Sequence, residues 1–249
     1  MRALATLLAG TFAVLVVAPT AALAAEKVDL LLVLAADVSR SINQERFQLQ
    51  RDGYAAALAD PRVLDAIHSG RRGRIGAAFV EWSGEAHQRL LIDWTLIGDS
   101  AAAKNFGTRL LEEPRSFADR TSISGGIDFA MAQLAMAPYE SARRTIDVSG
   151  DGTNNAGREV TAARDEATAK GVVINGLPIL SDSPMFWNPQ HTNPPGGLES
   201  YYRTNVVGGP GSFVIVAKNF GSFREAIIGK MIAEVSQAHN GLPLQALAR

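Results

Sequence analysis

The 249 residues contain no cysteine. That excludes a disulfide framework, a thiolate metal site and a lipid-modified cysteine, so the fold must rest on its hydrophobic core. There is no basic block either: 24 Lys and Arg stand against 25 Asp and Glu, and the pair Arg71 and Arg72 reads as a solvated loop. Such a balance argues against nucleic acid as a partner. Also absent are the Gly-x-Ser-x-Gly elbow, the phosphate-cradling Gly-x-x-x-x-Gly-Lys and His-Glu-x-x-His. The four histidines, His68, His87, His191 and His239, are scattered near loops and element ends, where exposed side chains are expected. Without a paired general acid and base, the chain is not expected to be an enzyme.

Beyond the first residues no apolar run reaches spanning length. Leu7 to Ala18 follows Arg2, falls short of the ~20 residues a spanning helix needs, and ends at Pro19 before Ala22-Leu23-Ala24. This is the pattern of a secretory signal peptide over residues 1–24, cleaved after Ala24 or Ala25. Residues 25–249 are then expected to form one soluble domain, periplasmic or secreted, with no membrane span after cleavage.

What is present alternates strand and helix. Leu30 to Ala36 is apolar at every position, as a central parallel strand covered on both faces must be. A helix is predicted from Asn43 to Leu58, stopped by Pro61. Ile75–Trp82 and Leu90–Trp94 read as a hairpin, and residues 100–112 and Ser124–Ala137 as helices, the latter stopped by Pro138. Then follow a strand at Thr145–Val148, a helix over 158–169 and strands at Val172–Leu180 and Ser212–Ala217. A last helix buries Phe223, Ile227, Met231 and Val235. The order predicts an α/β fold, doubly wound, whose mostly parallel central sheet carries helices on both faces and one antiparallel edge strand.

One stretch does not fit a short connection. Residues 181–211 hold Pro184, Pro189, Pro194, Pro195 and Pro210 together with Phe186, Trp187, Tyr201 and Tyr202. Loops of this length are usually functional or disordered, and a surface excursion with its own small cluster is the plainer alternative.

In an open α/β sheet ligands sit beyond the carboxyl ends of the strands. There the chain places Asp37-Val38-Ser39-Arg40-Ser41, then Arg120-Thr121-Ser122, then Ser149-Gly150-Asp151-Gly152. Asp37, Ser39 and Ser41 alternate along an extended turn and can aim three oxygens at one point, while Thr121 and Asp151 arrive from neighbouring loops. Two carboxylates and three hydroxyls are hard oxygen donors, the set that suits Mg²⁺, with Mn²⁺ or Ca²⁺ as other candidates. Each piece also reads as a helix cap: Ser41 with Gln44 as a capping box, and Asp37, Thr121 and Asp151 as N-caps. Asp147 shares strand parity with Ser149 and Asp151 and has no assigned role.

Asp-x-Ser-x-Ser, a Thr about 80 residues on, and the Asp of Ser-Gly-Asp-Gly together resemble the metal-ion-dependent adhesion site of von Willebrand A domains. The details Thr-Ser-Ile-Ser-Gly-Gly-Ile-Asp and Val-Val-Gly-Gly-Pro-Gly-Ser-Phe resemble an uncharacterised bacterial exported subfamily of that fold. The resemblance implies that Asp37, Ser39, Ser41, Thr121 and Asp151 hold the metal, some of them through water. It implies a binding module, but the 181–211 excursion is longer than the corresponding connection in many members, so partner recognition does not carry over. Two carboxylates and three neutral hydroxyls leave a divalent cation short of six firm ligands, so a protein or peptide partner is expected to supply a carboxylate. The excursion, leaving the strand that ends at Leu180 on the same rim, is expected to offer Phe186, Trp187, Tyr201 and Tyr202 as contact area. A second resemblance, of Gly150 to Asn155, is to the acid motif of haloacid dehalogenase-like phosphatases, which would make the chain an Mg²⁺-dependent hydrolase. Those enzymes need a carboxylate two residues after the nucleophilic Asp, and Ser39 stands there. A third reading is a scaffold in which the metal only ties loops together.

Overall fold

Every side chain of the strand Leu31–Asp37 is buried, and its odd and even positions go opposite ways. Leu32, Leu34 and Ala36 join one hydrophobic cluster, and Leu31, Val33 and Ala35 join another. A strand side chain alternates faces with period two, so an unbroken apolar run is what a strand with helices on both sides requires. The computed structural model describes residues 25–181 and 188–240, the side chains of 237–240 excepted. The expected signal segment, Phe186 and Trp187 lie outside the described residues.

In chain order the elements are β1 (Glu26–Lys27), β2 (Leu31–Asp37), α1 (Gln44–Leu58), α2 (Pro61–His68), β3 (Ile75–Trp82) and β4 (Gln88–Ile97). Next come α3 (Ser100–Glu112), α4 (Ile123–Ala135), β5 (Tyr139–Glu140), β6 (Arg144–Gly150), α5 (Val160–Ala169) and β7 (Val173–Pro178). The chain closes with α6 (Pro189–Thr192), α7 (Gly197–Tyr201), a π-helical turn (Tyr202–Val206), a 3-10 turn (Phe220–Ser222) and α8 (Phe223–Asn240). The central sheet has the order β4-β3-β2-β6-β7, parallel throughout except for β4, which pairs antiparallel with β3 at one edge. α1, α2, α3 and α8 pack on one face, through residues such as Tyr54, Ile67, Phe106 and Ile227. α4 and α5 cover the other, through Ile127, Leu134, Ala163 and Ala167. The predicted doubly wound architecture is the one observed, and Phe223, Ile227, Met231 and Val235 are all buried as expected.

Three details differ from the sequence reading. Pro61 does not merely stop α1; it opens α2 at a first-turn position where no N–H is needed, and Asp60 caps that helix through the Arg62 N–H at 2.9 Å. Ser212–Ala217, expected as a strand, runs beside β7 with only isolated bridges at Gly176–Val214 and Ile179–Ala217. The cause lies in β7: Ile215 N–H bonds Gly176 O and Ala217 N–H bonds Pro178 O, but Pro178 has no N–H to return, so the ladder loses a rung. The excursion is not a structureless loop: residues 189–206 carry α6, α7 and the π-helical turn, and its Leu198, Tyr202 and Val206 join the core beneath α5.

Candidate metal centre

Asp37 ends β2 in the middle of the sheet and Asp151 follows β6, its neighbour, so two carboxylates meet at one sheet end. Both are fully buried. Asp37 Oδ1 accepts the Ser39 N–H at 2.7 Å, which folds the chain back and brings Ser39 Oγ within 3.0 Å of Ser41 Oγ. Ser41 Oγ in turn donates to Asp151 Oδ1 at 2.5 Å. Four of the five predicted donors thus form one hydrogen-bonded chain. The remaining carboxylate oxygens, Asp37 Oδ2 and Asp151 Oδ2, are buried without a hydrogen bond. A buried orphaned carboxylate oxygen costs several kcal/mol unless a cation or donor meets it, about 1–3 or more per group.

Thr121, the fifth donor, is buried beside this chain and hydrogen-bonded instead to His191 Nε2, 3.1 Å away. Its backbone is clamped to the Asp151 loop: Thr121 N–H donates to Asn155 Oδ1 at 2.9 Å, and Thr121 O accepts from Asn155 and Ala156. The capping alternatives do not hold. Asn43 caps α1 and Ser122 caps α4, while α5 has no side-chain cap. Ser41, Thr121, Asp37 and Asp151 are therefore free of that duty.

Burial and the facing Asp151 push the Asp37 carboxyl up to about 8, and burial raises Asp151 to about 6. Two arginines that the sequence reading passed over moderate this. Arg46, on the first turn of α1, approaches Asp151 Oδ2 at 3.7 Å, while also donating to Ser41 O at 3.3 Å and Ser181 Oγ at 3.0 Å. Arg115 donates to Val38 O at 2.5 Å and Ser39 O at 2.7 Å, holding the Asp-x-Ser-x-Ser turn from outside. It is aimed there because Ser116 N–H is fixed at 3.0 Å on Glu81 Oε2, whose other oxygen binds the buried Arg51. Spacing to Ser41 could have flagged Arg46. Nothing local marks Arg115, whose partners lie 76 and 77 residues away.

The excursion reaches the same place. His191, expected to be exposed, is buried because α6 folds over the loops: its Nδ1 lies 3.2 Å from Thr153 Oγ1 and 3.3 Å from Asn155 Nδ2. Tyr202, expected among the partner contacts, is fully buried and offers no contact surface, since the π-helical turn directs it under β6 and β7. Its hydroxyl has no hydrogen-bond partner, and it flanks Gly150 together with Asp37: a Cβ there would lie 2.8 Å from Tyr202 Oη and 2.9 Å from Asp37 Oδ2. Tyr201 is half-buried and accepts the Asn154 N–H at 3.0 Å. Gly152 is required by packing: a Cβ would sit 2.3 Å from the His191 ring.

Asp147 is not part of this centre. It belongs to a second buried cluster under α8, in which Lys230 Nζ lies 2.7 Å from Asp147 and 2.6 Å from Glu234, and Asn175 Nδ2 donates to Glu234 at 2.9 Å. Among the described residues no three His, Asp or Glu side chains converge as a metal cage. The donor set on this rim is two carboxylates and neutral hydroxyls, which fits a hard divalent cation that keeps waters or takes a ligand from outside.

Residues 27–239 match the model of a family described as protein of unknown function (DUF1194). No curated protein matches the chain. Among solved structures, proximal thread matrix protein 1 from the mussel byssus is 14% identical with a TM-score of 0.58, matching 86% of this chain and 48% of its own. A further structure of that protein is described with a zinc-occupied MIDAS motif. The pilus adhesin SpaC from Lactobacillus rhamnosus GG is 13% identical with a TM-score of 0.57, over 85% of this chain and 31% of its own. A von Willebrand factor type A protein from Catenulispora acidiphila is 15% identical with a TM-score of 0.52, over 86% and 43%. The chain spans half or less of the length of these structures, and the likeness is one of fold, the von Willebrand A fold.

Proposed function

The chain belongs to the DUF1194 family, and on that premise we propose that it is an exported, metal-dependent binding module. Asp37, Ser39, Ser41, Thr121 and Asp151 hold one divalent cation, Mg²⁺ by the hardness of the donors, and a protein or peptide partner completes its coordination with a carboxylate. The observation that carries this reading is a pair of buried oxygens without a hydrogen bond, Asp37 Oδ2 and Asp151 Oδ2, the latter approached only by Arg46 at 3.7 Å, beside three hydroxyls at one sheet end. The metal would supply an electrophilic point of attachment. The chain's own residues aim the donors, exclude water and hold the turn in place through Arg115.

Two of the similar proteins support it: the byssus protein is described with zinc in a motif of this kind, and SpaC is an adhesin. The N-terminal signal pattern supports export, and among the described residues no helix is long and apolar enough to cross a membrane. We read the chain as a binder and not as a hydrolase, because Ser39 occupies the position where a phosphatase needs its general acid. The test is retention of partners from periplasmic extract on the immobilised chain in Mg²⁺ and in chelator. A partner that depends on Mg²⁺ and is lost with Ser39→Ala supports the mechanism. Retention indifferent to both would make the site a structural tie.

A further inference from the structure

We propose that the centre takes not one acidic side chain but two adjacent ones, the second seated in a cavity beside the metal ligands. This rests on the metal reading above. A cavity of about 300 Å³ opens next to Ser41 and Thr121, walled by Arg40, Arg120 and, from the excursion, Asn188 and His191. The volume is at the small end of ligand pockets and has room for an acidic side chain. Its lining carries two guanidiniums, Arg40 and Arg120, beside the Asp119 carboxylate, the amides of Asn155 and Asn188, and the His191 ring, whose two nitrogens are engaged with Thr121 and Asn155.

Charge decides what fits. Arg46 and Arg115 stand near Asp37 and Asp151 and, by formal charge, equal the two carboxylates in number, although neither arginine hydrogen-bonds Asp37 Oδ2 or Asp151 Oδ2. At the cavity Arg40 and Arg120 stand over Asp119, which pairs with Arg40 at 3.4 Å, while Arg120 reaches the Asn155 carbonyl. Four guanidiniums and a divalent cation against three carboxylates leave three positive charges in excess. One partner carboxylate on the metal leaves two. Both guanidiniums line the cavity and each has one terminal nitrogen engaged within the chain, so the second carboxylate would meet their remaining N–H groups, the chemistry arginine offers to carboxylates. The partner is therefore an acidic segment with neighbouring Asp or Glu residues, and Asn188 and His191 bring the excursion into the cavity's lining.

Two blocked heptapeptides test it against the whole mature chain in Mg²⁺ at low salt: glycines around a single Asp, and glycines around two adjacent Asp. The two-Asp peptide is expected to bind about ten-fold tighter, with the advantage fading as salt is raised. Arg40→Gln with Arg120→Gln should erase the difference while the Mg²⁺-induced rise in melting temperature persists, which shows the domain still folded and metal-loaded. A wild-type chain that takes Mg²⁺ but binds both peptides alike overturns the subsite alone, whereas one that takes Mg²⁺ and binds neither overturns the partner carboxylate as well. Retention of the difference in the double variant overturns the subsite alone. Inorganic phosphate binding more tightly than the two-Asp peptide, and only with both arginines present, would make the cavity a phosphoryl site and also overturn it. No Mg²⁺ effect on wild type, matched by Asp151→Ala, removes the metal reading and this inference with it.

Discussion

His191 Nε2 stands 3.1 Å from Thr121 Oγ1, joining the excursion to the rim of the sheet across 70 residues. Asn155 determines which atom gives the hydrogen. Its Oδ1 accepts the Thr121 N–H, which turns Nδ2 toward His191 Nδ1; an amide nitrogen only donates, so Nδ1 holds a lone pair and Nε2 carries the hydrogen. The imidazole, kept neutral by burial, thus donates to the threonine hydroxyl. His191→Ala would leave a cavity and strand the Asn155 and Thr121 groups, for an expected loss of about 2–4 kcal/mol in urea unfolding. A loss under about 0.5 kcal/mol, the level of an ordinary surface change, would mean that α6 is not docked.

Mg²⁺ should stabilise the domain. With a dissociation constant on the order of 0.1 to 1 mM, about 10 mM Mg²⁺ adds roughly 1.4 to 2.7 kcal/mol, a melting shift of about 3 to 10 °C. Asp151→Ala should remove the shift, because it takes away one of the two carboxylates that would hold the cation. Equal melting of wild type in Mg²⁺ and chelator would exclude the site.

The same carboxylates set a pH dependence. Asp37 and Asp151 are raised above the ordinary aspartate value of 3.8, to about 8 and about 6, so the folded chain holds these protons more tightly than the unfolded one. Their contribution is intact at acid pH and is lost as pH rises from about 4 towards 8. Asp147, raised by burial to about 7, acts with the same sign. The lowered Asp60 and Glu166 act oppositely but are solvent-screened. Metal binding displaces protons from Asp37 and Asp151, so the Mg²⁺ melting shift should be larger at pH 8 than at pH 5.5. The reverse order would contradict these environments.

Lys230 is fully buried and compensates two carboxylates, Asp147 on β6 and Glu234 one helical turn along α8. Lys230→Met keeps the length and removes the charge, leaving both acids buried without their cation. About 3–5 kcal/mol should be lost. Adding Asp147→Asn and Glu234→Gln should recover part of that. A single variant as stable as wild type would mean that Lys230 does not compensate these acids.

Much of this was legible without coordinates. The unbroken apolar run before Asp37 and the alternation of strand and helix determine the sheet and its helical cover, since a strand buried on both faces has no other way to satisfy its side chains. Residues that terminate adjacent parallel strands must share a rim, so Asp37 and Asp151 were bound to be neighbours once β2 and β6 paired. Only the tertiary structure decided what surrounds them. Arg115, His191 and Tyr202 reach the centre through contacts made across long stretches of chain, and no local period encodes where a proline-rich excursion folds back. Asp147 shares its strand with Ser149 and its parity with Ser149 and Asp151, yet its environment comes from α8, more than 80 residues away, through Lys230. Pattern repeats with the geometry of an element, whereas electrostatic environment is the sum over every element packed against it, and that sum exists only in the folded chain.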